Sequence, residues 1–148
     1  MVTTTSNGAV RPEHAFPLGL IWLKGQNRVD FLGLEHALSV AARIHKGSNA
    51  PPGKTSASAV ICCPTGEDDL AAQVSNIRGS APDAVVLVVA STPDLRLARA
   101  SLRAGASGLI HSGMTSEQVL RAVSVAIRGE VVLPRELLRR WMDERRPP

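Results

Sequence analysis

From Ala84 to Val89 every side chain is apolar, the pattern of a strand covered on both faces in a parallel sheet. Ser91, Thr92 and Pro93 follow with a hydroxyl to cap free amides and a proline suited to a first helical turn, so a helix is expected to open there. Leu95, Ala98 and Leu102 recur at helical spacing, and Gly105 can take the left-handed conformation that closes a helix. Gly108, Leu109 and Ile110 then begin another strand. The stretch from Pro82 to Gly113 is therefore a β-α-β crossover, right-handed if its strands share one sheet.

The same pattern extends outward in both directions. Residues 1–17, rich in Thr with Ser6, Asn7, Gly8 and two prolines, read as a flexible leader. Leu18 to Leu23 is the first expected strand. Val29 to Ile44 carries Phe31, Leu34, Leu38, Ala41 and Ala42 at helical spacing, and the segment reads as one helix ended by Gly47. Residues 47–58 form a loop by composition, and Ala57 to Cys63 is the next strand. Asp69 to Arg78 reads as a helix with Leu70, Val74 and Ile77 inward. Thr115 and Gln118 have capping-box spacing for a helix that buries Val119, Leu120, Val123, Ala126 and Ile127 and closes at Gly129. Val131 and Val132 run extended, and Pro134 opens a last helix to Met142 with Leu137, Leu138 and Trp141 on one side. The organisation expected is a leader over 1–17, one α/β domain over 18–134, and a C-terminal helix with the start of a linker over 135–148.

Composition narrows the function more than it changes the fold. The 148 residues suffice for one core, and with 3% aromatics among 44% hydrophobic residues that core must be built from Ala, Val, Leu and Ile. The net charge of +4 would suit an acidic partner, but Arg139, Arg140, Arg145 and Arg146 concentrate it at the C-terminal end. No apolar run approaches the ~20 residues of a membrane span, and the first fifteen residues lack the order of a signal peptide, so a cytoplasmic protein without a membrane partner is expected. Cys62 and Cys63 are adjacent on a strand, where neighbours point to opposite faces, which disfavours a disulfide between them and offers no metal site. His36 and His45, nine apart, are off-register for a shared ligand face. Pro-Gly-Lys-Thr at 52–55 resembles part of a phosphate-binding loop. The spacing from Gly47 is wrong, a helix precedes where a strand should, and Pro51 and Pro52 remove amides that would cradle phosphate.

A family likeness rests on the central unit. Strand, turn and helix followed by Ala104-Gly105-Ala106-Ser107-Gly108-Leu109-Ile110 resemble the second half of a response-regulator receiver domain, particularly the subfamily with a C-terminal helix-turn-helix. The resemblance spans roughly Leu18 to Pro134 and is strongest over 76–134. It implies a doubly wound, flavodoxin-like parallel sheet of four or five strands with helices on both faces, followed here by a C-terminal helix. Taking Ala57 to Cys63 as the third strand leaves the preceding segment short of a second strand and second helix by about a dozen residues.

The resemblance also says where chemistry should lie. An aspartyl-phosphate site needs a carboxylate nucleophile, acids to hold magnesium, a hydroxyl that follows the phosphate, and a lysine to balance its charge. Matched by spacing, the nucleophile falls at Cys62, or at Cys63 if the register slips by one. The acidic pair falls at Gly25 and Gln26 beside Lys24, the hydroxyl at Ala90, and the lysine at Ser112. Each expected group is missing, which implies a pseudo-receiver with no catalytic residues, no bound metal and no cofactor. Four histidines stand with no nucleophile and acid in a recognisable order, so an enzyme of other chemistry finds no support.

The function expected is a phosphorylation-independent regulatory domain of a transcription regulator, acting as a homodimer or through partner contact. Arg96, Arg99, Arg103, Arg121 and Arg128 fall on or beside the family's readout face of fourth helix, fifth strand and fifth helix, where they could meet a partner's acids. No recognition helix occurs in these residues, so DNA contact is expected only through a C-terminal domain not present in this chain. The alternative is a small-molecule sensor with an apolar effector in the degenerate phospho-acceptor pocket at the carboxyl ends of the strands.

Overall fold

The computed structural model describes residues 16–25, 28–51, 56–64, 67–92 and 94–145. Five strands form one parallel sheet: β1 (Leu20–Lys24), β2 (Arg43–Lys46), β3 (Ala59–Cys62), β4 (Val85–Ala90) and β5 (Gly108–His111). Their order across the sheet is β2-β1-β3-β4-β5. The helices are α1 (Arg28–Leu38), α2 (Glu67–Ser80), α3 (Leu95–Ala104), α4 (Ser116–Ile127) and α5 (Arg135–Arg145).

The period of two along each inner strand divides the core into two layers. Ile21, Leu23, Ala59, Ile61, Leu87, Val89 and Ile110 face α1 and α4, meeting Leu34, Leu38, Val119 and Val123. Trp22, Val60, Cys62, Val86, Val88 and Leu109 face α2 and α3, meeting Leu70, Val74, Ile77 and Ala98. Both faces are buried, which is why β3 and β4 read as unbroken apolar runs.

The single helix expected over 29–44 is two elements. α1 stops at Leu38, and Arg43–Lys46 is the edge strand β2, pairing Arg43, Ile44, His45 and Lys46 with Leu20, Ile21, Trp22 and Leu23. An edge strand is only half covered, so Arg-Ile-His-Lys carries one aliphatic residue and shows no strand-like run. Gly47, at φ 134°, ends this strand and not a helix. Its carbonyl accepts the indole N–H of buried Trp22 at 2.8 Å, which pins the end of β2 against the core. Ala57 to Cys63 does hold the third strand. Among the described residues between β2 and β3 no helix occurs, so what is short is the second helix and not the second strand.

The cap of α3 also differs from expectation. Ser91 and Thr92 are exposed ahead of the helix, and the carboxylate of Asp94 accepts the N–H groups of Arg96 and Leu97 at 2.9 and 3.4 Å. Asp94 holds the extended conformation of an N-cap, φ −138° and ψ 114°, and Pro93 lies outside the described residues. Ala98 and Ser101 face the sheet, and Leu102, expected there, is half-buried. Ser101 is fully buried because its Oγ donates to the Leu97 carbonyl at 2.6 Å. Gly105 closes α3 at φ 105° as expected, and α4 has the full capping box, Thr115 N–H to Gln118 at 2.8 Å and Gln118 N–H to Thr115 at 3.2 Å.

Candidate functional site

Parallel strands bring their carboxyl ends to one edge of the sheet, and the described residues that spacing matched to an acceptor site gather there. Cys62 ends β3 and stands in register with Lys24, the last residue of β1, and with Val88 of β4. Gly25 follows Lys24 directly, Ala90 ends β4, and Ser112 follows β5. Gln26 lies outside the described residues. Ser112 N–H donates to the Ala90 carbonyl at 3.1 Å and its Oγ to the Ser91 carbonyl at 2.9 Å, so this serine ties two strand ends together.

The electrostatics at this edge are those of a closed core. The Cys62 side chain is fully buried on the α2–α3 layer. Its thiol is pushed up to about 12, first by desolvation and then by neighbouring Cys63, against an opposing pull from Lys24 that exceeds the further push from Asp69. A thiol held protonated is neither a nucleophile nor a metal ligand at neutral pH. Cys63, one residue on, packs half-buried toward the opposite layer. Asp69, in the first turn of α2, accepts a hydrogen bond from Gln73 at 2.6 Å. Among the described residues no group of three His, Cys, Asp or Glu side chains is arranged to hold a metal ion.

The other face of interest is α3, β5 and α4, and the chain itself covers part of it. After α4 the backbone returns to the sheet: Leu109 N–H donates to the Val132 carbonyl at 3.0 Å and Val132 N–H to the Ser107 carbonyl at 2.9 Å. Gly108 permits this approach, because a Cβ there would stand 1.9 Å from the Val132 oxygen. α5 then packs beside α3. Leu137 is fully buried in the α2–α3 layer, and Arg99 pairs with Glu144 while its guanidinium lies 5.4 Å from the centre of the Trp141 ring. Leu138, expected on the same side as Leu137, is 45% exposed. Arg96, Arg103, Arg121 and Arg128 are exposed, Arg128 with Glu130 at 4.0 Å. Sequence alone gives no sign of the Arg99–Glu144 contact, which joins residues 45 apart.

A cleft of about 610 Å³ opens between α4 and α5, and none of Gly25, Cys62, Cys63, Ala90 and Ser112 lines it. No helix among the described residues is long and apolar enough to cross a membrane.

Comparison with solved structures places this architecture. A two-component response regulator of the LuxR family from Aurantimonas sp. SI85-9A1 superposes with a TM-score of 0.66 at 16% identity, over 86% of this chain and 96% of that one. The isolated receiver domain of RcsB from Salmonella enterica serovar Typhimurium, in its apo form, gives 0.65 at 14%, over 85% and 98%. The fold is that of a receiver domain. In a structure of two RcsB dimers bound to two parallel DNAs, the TM-score is 0.63 at 15% identity and this receiver-like chain spans 66% of the RcsB chain. No family model matches the sequence, and no curated protein does. By position in that fold α3, β5 and α4 are its fourth helix, fifth strand and fifth helix.

Proposed function

We propose that this chain is a phosphorylation-independent, receiver-like regulatory domain of a transcription regulator, without enzymatic activity, working through dimerisation or contact with a protein partner. The observation that carries the reading is Cys62: where the receiver fold would present a solvated carboxylate to a phosphoryl group, this sequence presents a fully buried, protonated thiol. Gly25, Ala90 and Ser112 at the neighbouring strand ends add neither a carboxylate for magnesium nor a cation for the phosphate.

In receiver domains phosphate shifts a two-state equilibrium read on one face. With no acceptor, the state of that face is set by the sequence or by a partner. Contacts within the chain supply such a bias here: Leu137, Trp141 and Glu144 of α5 hold α3 from the outside. Exposed Arg96, Arg103, Arg121 and Arg128 lie where a partner's acids would meet them. RcsB, whose chain contains a domain of this fold, is seen as dimers bound to DNA, which supports a role in transcription regulation.

The test is incubation of the full chain with radiolabelled acetyl phosphate and magnesium, followed by sedimentation with and without beryllofluoride. The expected result is no incorporated label and a twofold mass that beryllofluoride does not change. Label resistant to dilution, or a mass that responds to beryllofluoride, overturns phosphate independence; a monomer at every concentration removes the dimer.

A further inference from the structure

The cleft between α4 and α5 combines two features that a merely solvated surface does not need together. Its walls expose apolar side chains, Val131 at 64% and Leu138 at 45%, with Val125 half-buried behind them. Three guanidinium groups, Arg121, Arg135 and Arg139, line the same cavity, and none is paired with an acid among the described residues. Glu136 is the one acid on the wall, so the arginines outnumber it by two. His111 and Met114 close the end nearest the sheet, where the His111 Nδ1 accepts the Gly113 N–H at 3.2 Å and the Met114 sulfur accepts the His111 N–H at 3.4 Å.

From this arrangement we infer that the α4–α5 cleft is a binding site for a small amphiphilic anion: an apolar tail carrying one carboxylate. About 610 Å³ falls in the range of small-molecule sites, ~300–1,000 Å³. The apolar walls gain by covering Val131 and Leu138, and a carboxylate suits the planar fork of an arginine, which binds it through two parallel hydrogen bonds. An amine of the same shape would meet like charge. A second copy related by a two-fold axis through the cleft would bring three more arginines and one acid against the three arginines and one acid here, so the charge pattern argues against self-association there. The site exists only while α5 is docked, since Leu138 and Arg139 belong to that helix. Occupancy of the cleft is therefore coupled to the docked state of α5. This inference does not depend on the acceptor position being silent.

Calorimetric titration of the full chain with decanoate tests it, with decylammonium as the opposite charge. Decanoate saturates one site per chain and decylammonium gives no saturable signal. Arg121→Gln with Arg139→Gln weakens decanoate by about tenfold or more, while Arg43→Gln on the distant edge strand leaves it unchanged. All three arginines are exposed, and an unchanged thermal melt of each variant shows that the fold is retained. Absence of saturation, equal binding of decylammonium, or indifference to the double substitution overturns the inference. So does a dimer that forms at the expense of decanoate binding, since the occupant is then a second copy.

Discussion

At the end of β3 a single side chain decides what the strand edge can do. Cys62 has no exposed surface and its thiol stands at about 12 against an ordinary value of 9.0, because burial penalises the thiolate. The folded chain thus holds a proton that the unfolded chain releases first. Stability from this residue is fully present below pH 9 and falls by about 1.4 kcal/mol per pH unit as the pH rises toward 12. Urea unfolding of the native chain and of Cys62→Ala across pH 8–11 measures this, and the native chain should show the steeper decline. At neutral pH iodoacetamide should mark Cys63 and spare Cys62, read by peptide mass. What residue types gave here was the buried strand end: Ala57 to Cys63 reads as a strand, and its cysteine Cys62 does close β3. What spacing could not give is the direction of the side chain. Whether Cys62 or Cys63 faces a given layer depends on the strand's register with Lys24 and Val88, and that is set across the sheet.

Elements were legible in proportion to their own local signals. α4 announces itself by Thr115 and Gln118, and α2 by Leu70, Val74 and Ile77, all three fully covered. β2 does not, because Ala41 and Ala42 extend the helical rhythm of α1 past its true end at Leu38 and Ile44 alone marks the edge strand. The docking of α5 likewise depends on partners distant in sequence. Leu137 and Leu138 look equivalent in the chain, yet one is fully buried and the other 45% exposed. Leu137→Ala should cost about 2–5 kcal/mol through the lost contacts and the cavity left behind, and Leu138→Ala within about 0.5 kcal/mol of nothing; denaturant midpoints separate them. Gly108→Ala strikes the same docking from the backbone side. A methyl 1.9 Å from the Val132 oxygen must displace the 130–133 segment from β5. Hydrogen exchange at Leu109 and Val132, whose amides are protected by that pairing, should rise at least tenfold, corresponding to about 1.4 kcal/mol lost from the local opening free energy.

For the whole molecule the two ends of the sheet set the final constraint, since an unpaired edge strand is a template for another chain. The β5 end is closed by the backbone of Val132 and by α5 beyond it. The β2 end is handled differently. Among the described residues no strand pairs with its outer side, and exposed Arg43 and Lys46 stand at its two ends, Lys46 bonded to Glu35 of α1 at 2.7 Å. A second chain adding there would bring its own cations against these, directly opposite or one register away, and like charges across strands are destabilising. Replacing both by valine removes that repulsion and raises β propensity on a short strand whose inner pairing to β1 stays intact. Arg43→Val with Lys46→Val should therefore leave the unfolding midpoint within about 0.5–1 kcal/mol of the parent, the surface ion pair being worth little. The same variant should show concentration-dependent light scattering that the parent lacks at low salt. A variant that stays monodisperse would mean the edge is protected by something other than charge.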